Sequence, residues 1–317
     1  MALTVAPEAS ALPPFTAQTR LLVVAPHPDD ETIANGLLIQ RVRAAGGTVR
    51  VLLLTDGDNN PWPQRWLERR WSIGTAERAR WGRRRRAEIA EALHRLDVPA
   101  TALQPLGWPD MGMLDCLLQP DRAALAELAA ALGGFAPGLV ALPALGDRHP
   151  DHGAAHVLLR MALAAADLSP TLFGYLVHGR DDGQPTFEQP GTPGQQAAKR
   201  QALAAYASQL ALSGGRLRDL AERPERHARI ESMPYGPARA LPWRPSPLLW
   251  SRLRLTAAST SGLAQQWPWS AAPLRRDGQG GWRLEWPAAQ AGDACFVRLS
   301  LALPSPWIFD HWGWREV

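Results

Sequence analysis

Lysine is all but missing from this chain of 317 residues; Lys199 is the single one, so nearly all the basic charge is arginine. Arginine is always charged and forks onto paired oxygens, which leaves phosphate-bearing or anionic glycolipid partners open. Nucleic acid is not expected, because no nucleic-acid-binding motif accompanies a formal net charge of +4. Cysteine is scarce too, with only Cys116 and Cys295, far apart. That excludes a cysteine-rich metal cluster and a disulfide framework, and points to a reducing, cytoplasmic compartment. No run of about 20 apolar residues occurs, so no transmembrane segment is expected, while peripheral membrane contact stays open. Residues 1–20 lack a basic start followed by an apolar run and do not read as a signal peptide. Charged residues make up 20% and hydrophobic ones 46%, a balance that excludes a disordered chain and allows a full core.

What is present begins with strand and helix periodicity. Residues 21–26 (LLVVAP) read as a buried strand, 31–45 as a helix stopped by Gly46-Gly47, and 48–54 (TVRVLLL) as a second buried strand. Strand, helix and strand in this space form a βαβ unit and hence a parallel sheet. A polar loop over 55–73 and an arginine-rich helix over 74–97 follow. A strand is expected over 102–106, a helix over 121–132, a strand over 138–143, a helix over 152–166 and a strand over 171–178. A Gly/Pro-rich loop covers 180–194, and a helix covers 195–212. After about residue 235 proline and tryptophan become dense and alternation replaces helical spacing. The expected architecture is therefore α/β, a Rossmann-like and mostly parallel sheet over residues 15–235, with a small β-rich extension over 236–317.

Two clusters carry chemistry. His27-Pro28-Asp29-Asp30-Glu31 follows the first strand, and His149-Pro150-Asp151-His152 follows the strand over 138–143. Open α/β sheets place their sites at such strand ends. Polar groups packed beyond an apolar strand are costly unless they bind something. His27 and Asp30, three apart at a helix start, can face one point while Asp29 aims elsewhere. With His152 they make two imidazoles and a carboxylate, a hydrolytic zinc arrangement that also suits Fe2+. The bland alternative is a pair of capped turns, since Asp is a good N-cap; two such motifs at two strand ends weigh against it. His156, four past His152, can share its helix face, as a ligand or as a packed helix histidine. His178 follows a strand at the same sheet end and is expected to line the pocket.

HPDDE together with HPDH resembles the PIG-L/LmbE-like zinc-dependent N-deacetylase family, whose members have a Rossmann-like fold and remove acetyl groups from N-acetylglucosaminyl compounds. The resemblance extends over residues 20–212. It includes Thr55-Asp56-Gly57, the set Arg85, Glu88 and Ala92, the segment Leu106-Gly107-Trp108-Pro109-Asp110, and Lys199 with Tyr206-Ala207-Ser208-Gln209-Leu210. It implies His27, Asp30 and His152 as metal ligands and Asp29 as general base. It further implies a protonated His149 as oxyanion support backed by Asp151, and Arg85 and Asp110 as substrate contacts. The expected substrate is an N-acetylated sugar in a glycan, glycolipid or glycoconjugate. Hydrolysis of another small amide conjugate and non-catalytic glycan binding are the competing readings. The extension's tryptophans, Trp243, Trp250, Trp267, Trp269, Trp282, Trp286, Trp307, Trp312 and Trp314, either cover apolar surface or stack on sugar rings.

Overall fold

The computed structural model describes residues 12–179, 186–231, 240–286, 293–302 and 309–317. Strand β1 (Arg20–Ala25) leads through α1 (Asp30–Ala44) to β2 (Thr48–Thr55). Two helices, α2 (Pro61–Glu68) and α3 (Thr75–Arg95), precede β3 (Leu103–Trp108). Helices α4 (Met113–Leu118) and α5 (Ala123–Phe135) precede β4 (Leu139–Pro143), and α6 (Pro150–Ala165) joins it to β5 (Thr171–Tyr175). Then come β6 (Phe187–Gln189), α7 (Pro193–Leu203), α8 (Ala207–Glu222) and β7 (Glu225–Arg229).

These seven strands form one sheet in the order β3-β2-β1-β4-β5-β7-β6. Strands β1 to β5 run parallel, and β7 pairs antiparallel with both β5 and β6. The interior strands read as continuous apolar runs because helices cover both faces. Leu21, Val23, Ala25, Val51 and Leu53 face one core with α1 and α3, while Leu22, Val24, Leu52 and Leu54 face the other with α5 and α6. The chain moves outward from β1 to β2 and β3, then returns to place β4 on β1's other side. The crevice between the ends of β1 and β4 is thus the topological switch point, where open α/β sheets bind ligands.

The remaining chain forms antiparallel pairs. Strands β8 (Leu253–Ser259), β9 (Ala264–Pro268), β12 (Cys295–Leu301) and β13 (Gly313–Glu316) make a sheet in the order β13-β12-β8-β9, and β10 (Leu274–Arg276) pairs with β11 (Trp282–Leu284). One face of the four-stranded sheet sends Ala258, Phe296 and Trp314 into the core that α5 and α6 share. The other face builds a core of its own around Trp243, Trp269, Leu255 and Val297. The boundary expected near residue 235 lies outside the described residues.

Three expectations are corrected. The segment 55–73 is not all loop, because α2 is a capped helix whose Asn60 side chain accepts from Trp62 N. The single helix expected over 195–212 is two, because Tyr206 turns inward between α7 and α8 and is fully buried. Part of the loop expected over 180–194 pairs as β6, and residues 180–185 lie outside the described residues.

Candidate metal centre at the sheet switch point

Both motifs emerge at this crevice. After β1, the chain turns through His27-Pro28-Asp29 and enters α1 at Asp30. After β4, His149 caps α6: Pro150 fixes the first turn, and the His149 Nδ1 accepts from Asp151 N at 3.3 Å. His27, Asp30, His149, Asp151 and His152 are all buried.

Three atoms form a near-equilateral triangle. His27 Nδ1 lies 3.4 Å from Asp30 Oδ2 and 3.3 Å from His152 Nε2, and His152 Nε2 lies 3.2 Å from Asp30 Oδ2. A tetrahedral ion with ligand bonds of about 2.0–2.1 Å spaces its ligand atoms by about 3.3 Å. Two imidazole nitrogens facing each other at this distance have room for one proton at most between them, whereas a cation satisfies both lone pairs. Among the described residues, donors also gather within 4.8 Å as His27, His149 and His152, as Asp30, His152 and His178, and as His27, Asp110 and Asp151. The last group is already engaged: Asp110 Oδ2 accepts from Asn59 N at 2.7 Å, and Asp151 accepts from Met111 N at 2.7 Å and Met113 N at 3.3 Å. Its carboxylates instead flank His27 Nε2, each at 3.3 Å.

Both imidazoles of the triangle are therefore backed by carboxylates, the arrangement that fixes the tautomer of a metal-bound histidine. Asp147 stands behind His152, its Oδ2 3.2 Å from Nδ1. It is held by His149 N, Val177 N and His178 N at 2.9–3.0 Å. Asp147 lies two residues before His149, and no motif spacing marks it in the sequence. Burial alone would depress His152, but Asp147 and Asp30 outweigh it and push the imidazole up to about 10. The site thus attracts positive charge. Its donor set and electrostatics fit a divalent metal ion.

Asp29 faces away from the triangle. Its φ of 118° is a left-handed conformation that costs a non-glycine residue of order 1–3 kcal/mol. Asp29 N is held by Glu31 Oε2 at 3.2 Å, and its carboxylate lies 3.6 Å from Arg85 Nη2. Burial pushes the Asp29 carboxyl up to about 7, against the pull of Arg85. Arg85 donates to Gly57 O and Pro28 O, both at 2.6 Å, and is the one buried member of residues 83–86. A Cβ at Gly57, itself at φ +62°, would stand 1.8 Å from Arg85 Nη1, so this approach requires glycine.

His149 is held well below the usual imidazole range by burial and by its neighbours His27, His152 and His178. With Nδ1 occupied, the neutral ring carries its proton on Nε2. This departs from the protonated form expected from the sequence. His178 sits at the same rim, its ring centroid 5.4 Å from that of His149 and its Nδ1 3.0 Å from Arg216 Nη2. Arg216 was not anticipated. His156 faces elsewhere: its Nδ1 lies 2.9 Å from Pro143 O, against Phe296. Beside Asp110 opens a cavity of about 430 Å³, lined by Asp58, Asn59, Ile73, Thr75 and Arg78 among others.

A carboxylate-backed His/His/Asp triangle at the switch point of a doubly wound sheet is a donor set that suits a divalent metal ion. Residues 22–163 match the model of the family described as PIG-L: GlcNAc-PI de-N-acetylase. Two curated relatives are named 1D-myo-inositol 2-acetamido-2-deoxy-alpha-D-glucopyranoside deacetylase. The one from Mycobacteroides abscessus is 33% identical, covering 46% of this chain and 56% of its own length. The one from Nocardia farcinica is 34% identical, covering 48% and 54%. The chain thus spans about half the length of the curated relatives it matches. Among solved structures, a conserved protein of Thermus thermophilus is 27% identical with a TM-score of 0.50, covering 71% of this chain and 99% of its own. A deacetylase of the teicoplanin biosynthetic pathway shares the fold at 21% identity and a TM-score of 0.53, covering 68% and 100%.

Proposed function

We propose that this protein is a zinc-dependent hydrolase that removes the acetyl group from an N-acetylated, GlcNAc-type sugar. The observation that carries this reading is the triangle of His27 Nδ1, Asp30 Oδ2 and His152 Nε2 with a displaced, elevated carboxyl, Asp29, beside it. The names of the sequence relatives support the acetamido sugar.

A bound zinc ion would acidify a water molecule and polarise an acyl oxygen. Asp29 takes the proton of the attacking water, a transfer matched by a carboxyl near neutrality. Arg85 keeps Asp29 oriented and balances its charge. The neutral His149 donates its Nε2–H to the acyl oxygen as charge develops there, and Asp151 N holds the ring in that tautomer. Transfer of the proton to nitrogen releases the amine and acetate. Asp110 orients His27 and borders the cavity, which receives the rest of the substrate; His178 lines the opposite rim. The scarcity of cysteine, with only Cys116 and Cys295 and both buried, supports a reducing, cytoplasmic setting.

The test is mass spectrometry of zinc-loaded protein incubated with N-acetylglucosaminyl-inositol, diacetylchitobiose and an N-acetylglucosaminyl glycolipid. Loss of one acetyl group from at least one of them, stopped by chelation and restored by zinc, is expected. Absence of deacetylation across the panel by metal-replete protein overturns the reading.

A further inference from the structure

The extension's described tryptophans are not the exposed ones. Among the described residues 240–317, every tryptophan is buried or half-buried, and Trp307 lies outside the described residues. Exposure is concentrated elsewhere. Of the eight large apolar side chains that the described residues expose, four lie within ten residues: Trp62 at 65%, Trp66 at 67%, Leu67 at 39% and Trp71 at 91%. Trp62 and Trp66, four apart on α2, share one helix face. Trp71 follows three residues after the helix end. None of the four is needed to fill a core.

Arginine surrounds these rings. Residues 61–80 hold Arg65, Arg69, Arg70, Arg78 and Arg80 against Glu68 and Glu77. Both glutamates are taken: Arg80 pairs with Glu68 at 2.5 Å and Arg70 with Glu77 at 3.3 Å. The Arg65 guanidinium lies over the Trp62 ring, 5.0 Å from its centroid. A surplus of three positive charges, out of +4 for the whole chain, is thus carried within twenty residues that also expose three indoles. The same segment borders the site: Asn59, one residue before the α2 cap, is tied to Asp110, and Ile73, Thr75 and Arg78 line the cavity.

We propose that α2 and the segment through Trp71 dock on a lipid bilayer carrying anionic phospholipids, turning the cavity mouth toward the membrane surface. Indole rings with an apolar body and a polar N–H settle at the headgroup level. Arginines beside them are drawn to the anionic headgroups. Such contact lies in the interface plane and needs no spanning helix, in keeping with the absence, among the described residues, of any helix long and apolar enough to cross a membrane. A purely electrostatic partner would explain the arginines but not three solvent-facing indoles.

Co-sedimentation of the full chain with vesicles tests this without reference to catalysis. Phosphatidylcholine vesicles containing phosphatidylglycerol should carry the protein down; pure phosphatidylcholine should carry far less, and added salt should release it. The variant Trp62→Ser/Trp66→Ser/Trp71→Ser should bind at least about tenfold more weakly, with an unchanged thermal melt, because these rings pack no core. The variant Arg65→Gln/Arg69→Gln, independent of any solubility change in the first, should lose about fivefold per arginine. Failure of the wild type to bind either vesicle overturns the proposal, as does equal binding by both variants. So does a wild-type dimer in solution that the tryptophan variant converts to monomer, since a second copy would then be the occupant.

Discussion

Asp29 and Asp30 are adjacent in sequence, yet their carboxylates do different things. Asp30 Oδ2 completes the triangle with His27 and His152, while Asp29, at φ 118°, meets Arg85. Replacing the two should therefore separate binding from turnover. Asp29→Asn should keep its metal and lose about 10²- to 10⁴-fold in turnover, the usual range for a general base. Asp30→Ala should lose the metal, and Asp147→Asn should weaken metal affinity about 10- to 100-fold through His152. Elemental analysis beside single-turnover rates reads both effects. An Asp29→Asn protein with near-normal turnover would sink the assignment. That His27, Asp30 and His152 could share one point was legible from motif spacing and strand-end position. Asp147 was not, because a carboxylate that orients a ligand carries no spacing rule of its own.

At the scale of elements, α1 supplies Asp30 from its first turn and is fastened farther along by a buried ion pair. The sole lysine, Lys199 on α7, donates to Ile33 O at 2.8 Å and to Glu225 Oε1 at 2.6 Å. Glu225 in turn accepts from Leu37 N and Leu38 N at 2.8 and 3.0 Å. Both ionic groups are essentially sealed from solvent. Removing one partner strands the other charge, so Lys199→Met should cost about 3–5 kcal/mol. Lys199→Met/Glu225→Gln should recover part of that loss, because no isolated charge remains. Urea unfolding checks the pair; a single variant as stable as the wild type would show that the ion pair holds nothing. The strands and α1 could be read from apolar periodicity. The break between α7 and α8 could not, because it is set by Tyr206 reaching the buried Glu31, a contact 175 residues away in sequence.

At the scale of the molecule, the C-terminal sheet packs on the helix that carries His152. A Cβ at Gly153 would stand 2.3 Å from Trp314 Cδ1, on strand β13. In a free helix, Gly→Ala stabilises by roughly 0.5–1 kcal/mol. Here overpacking should win, and Gly153→Ala should destabilise by about 1–3 kcal/mol. A stabilised Gly153→Ala protein in chemical denaturation would mean that Trp314 does not press on α6 in solution. By itself the sequence determined the α/β class, the parallel pairing of the first two strands and the two motifs at strand ends, because apolar period and turn chemistry are local properties. Only the tertiary structure decided which carboxylates stand behind which histidines, that Arg85 meets Asp29, and that the extension's described tryptophans are buried or half-buried while those near α2 face solvent. These outcomes depend on distances between segments far apart in the chain, and no local pattern encodes such distances.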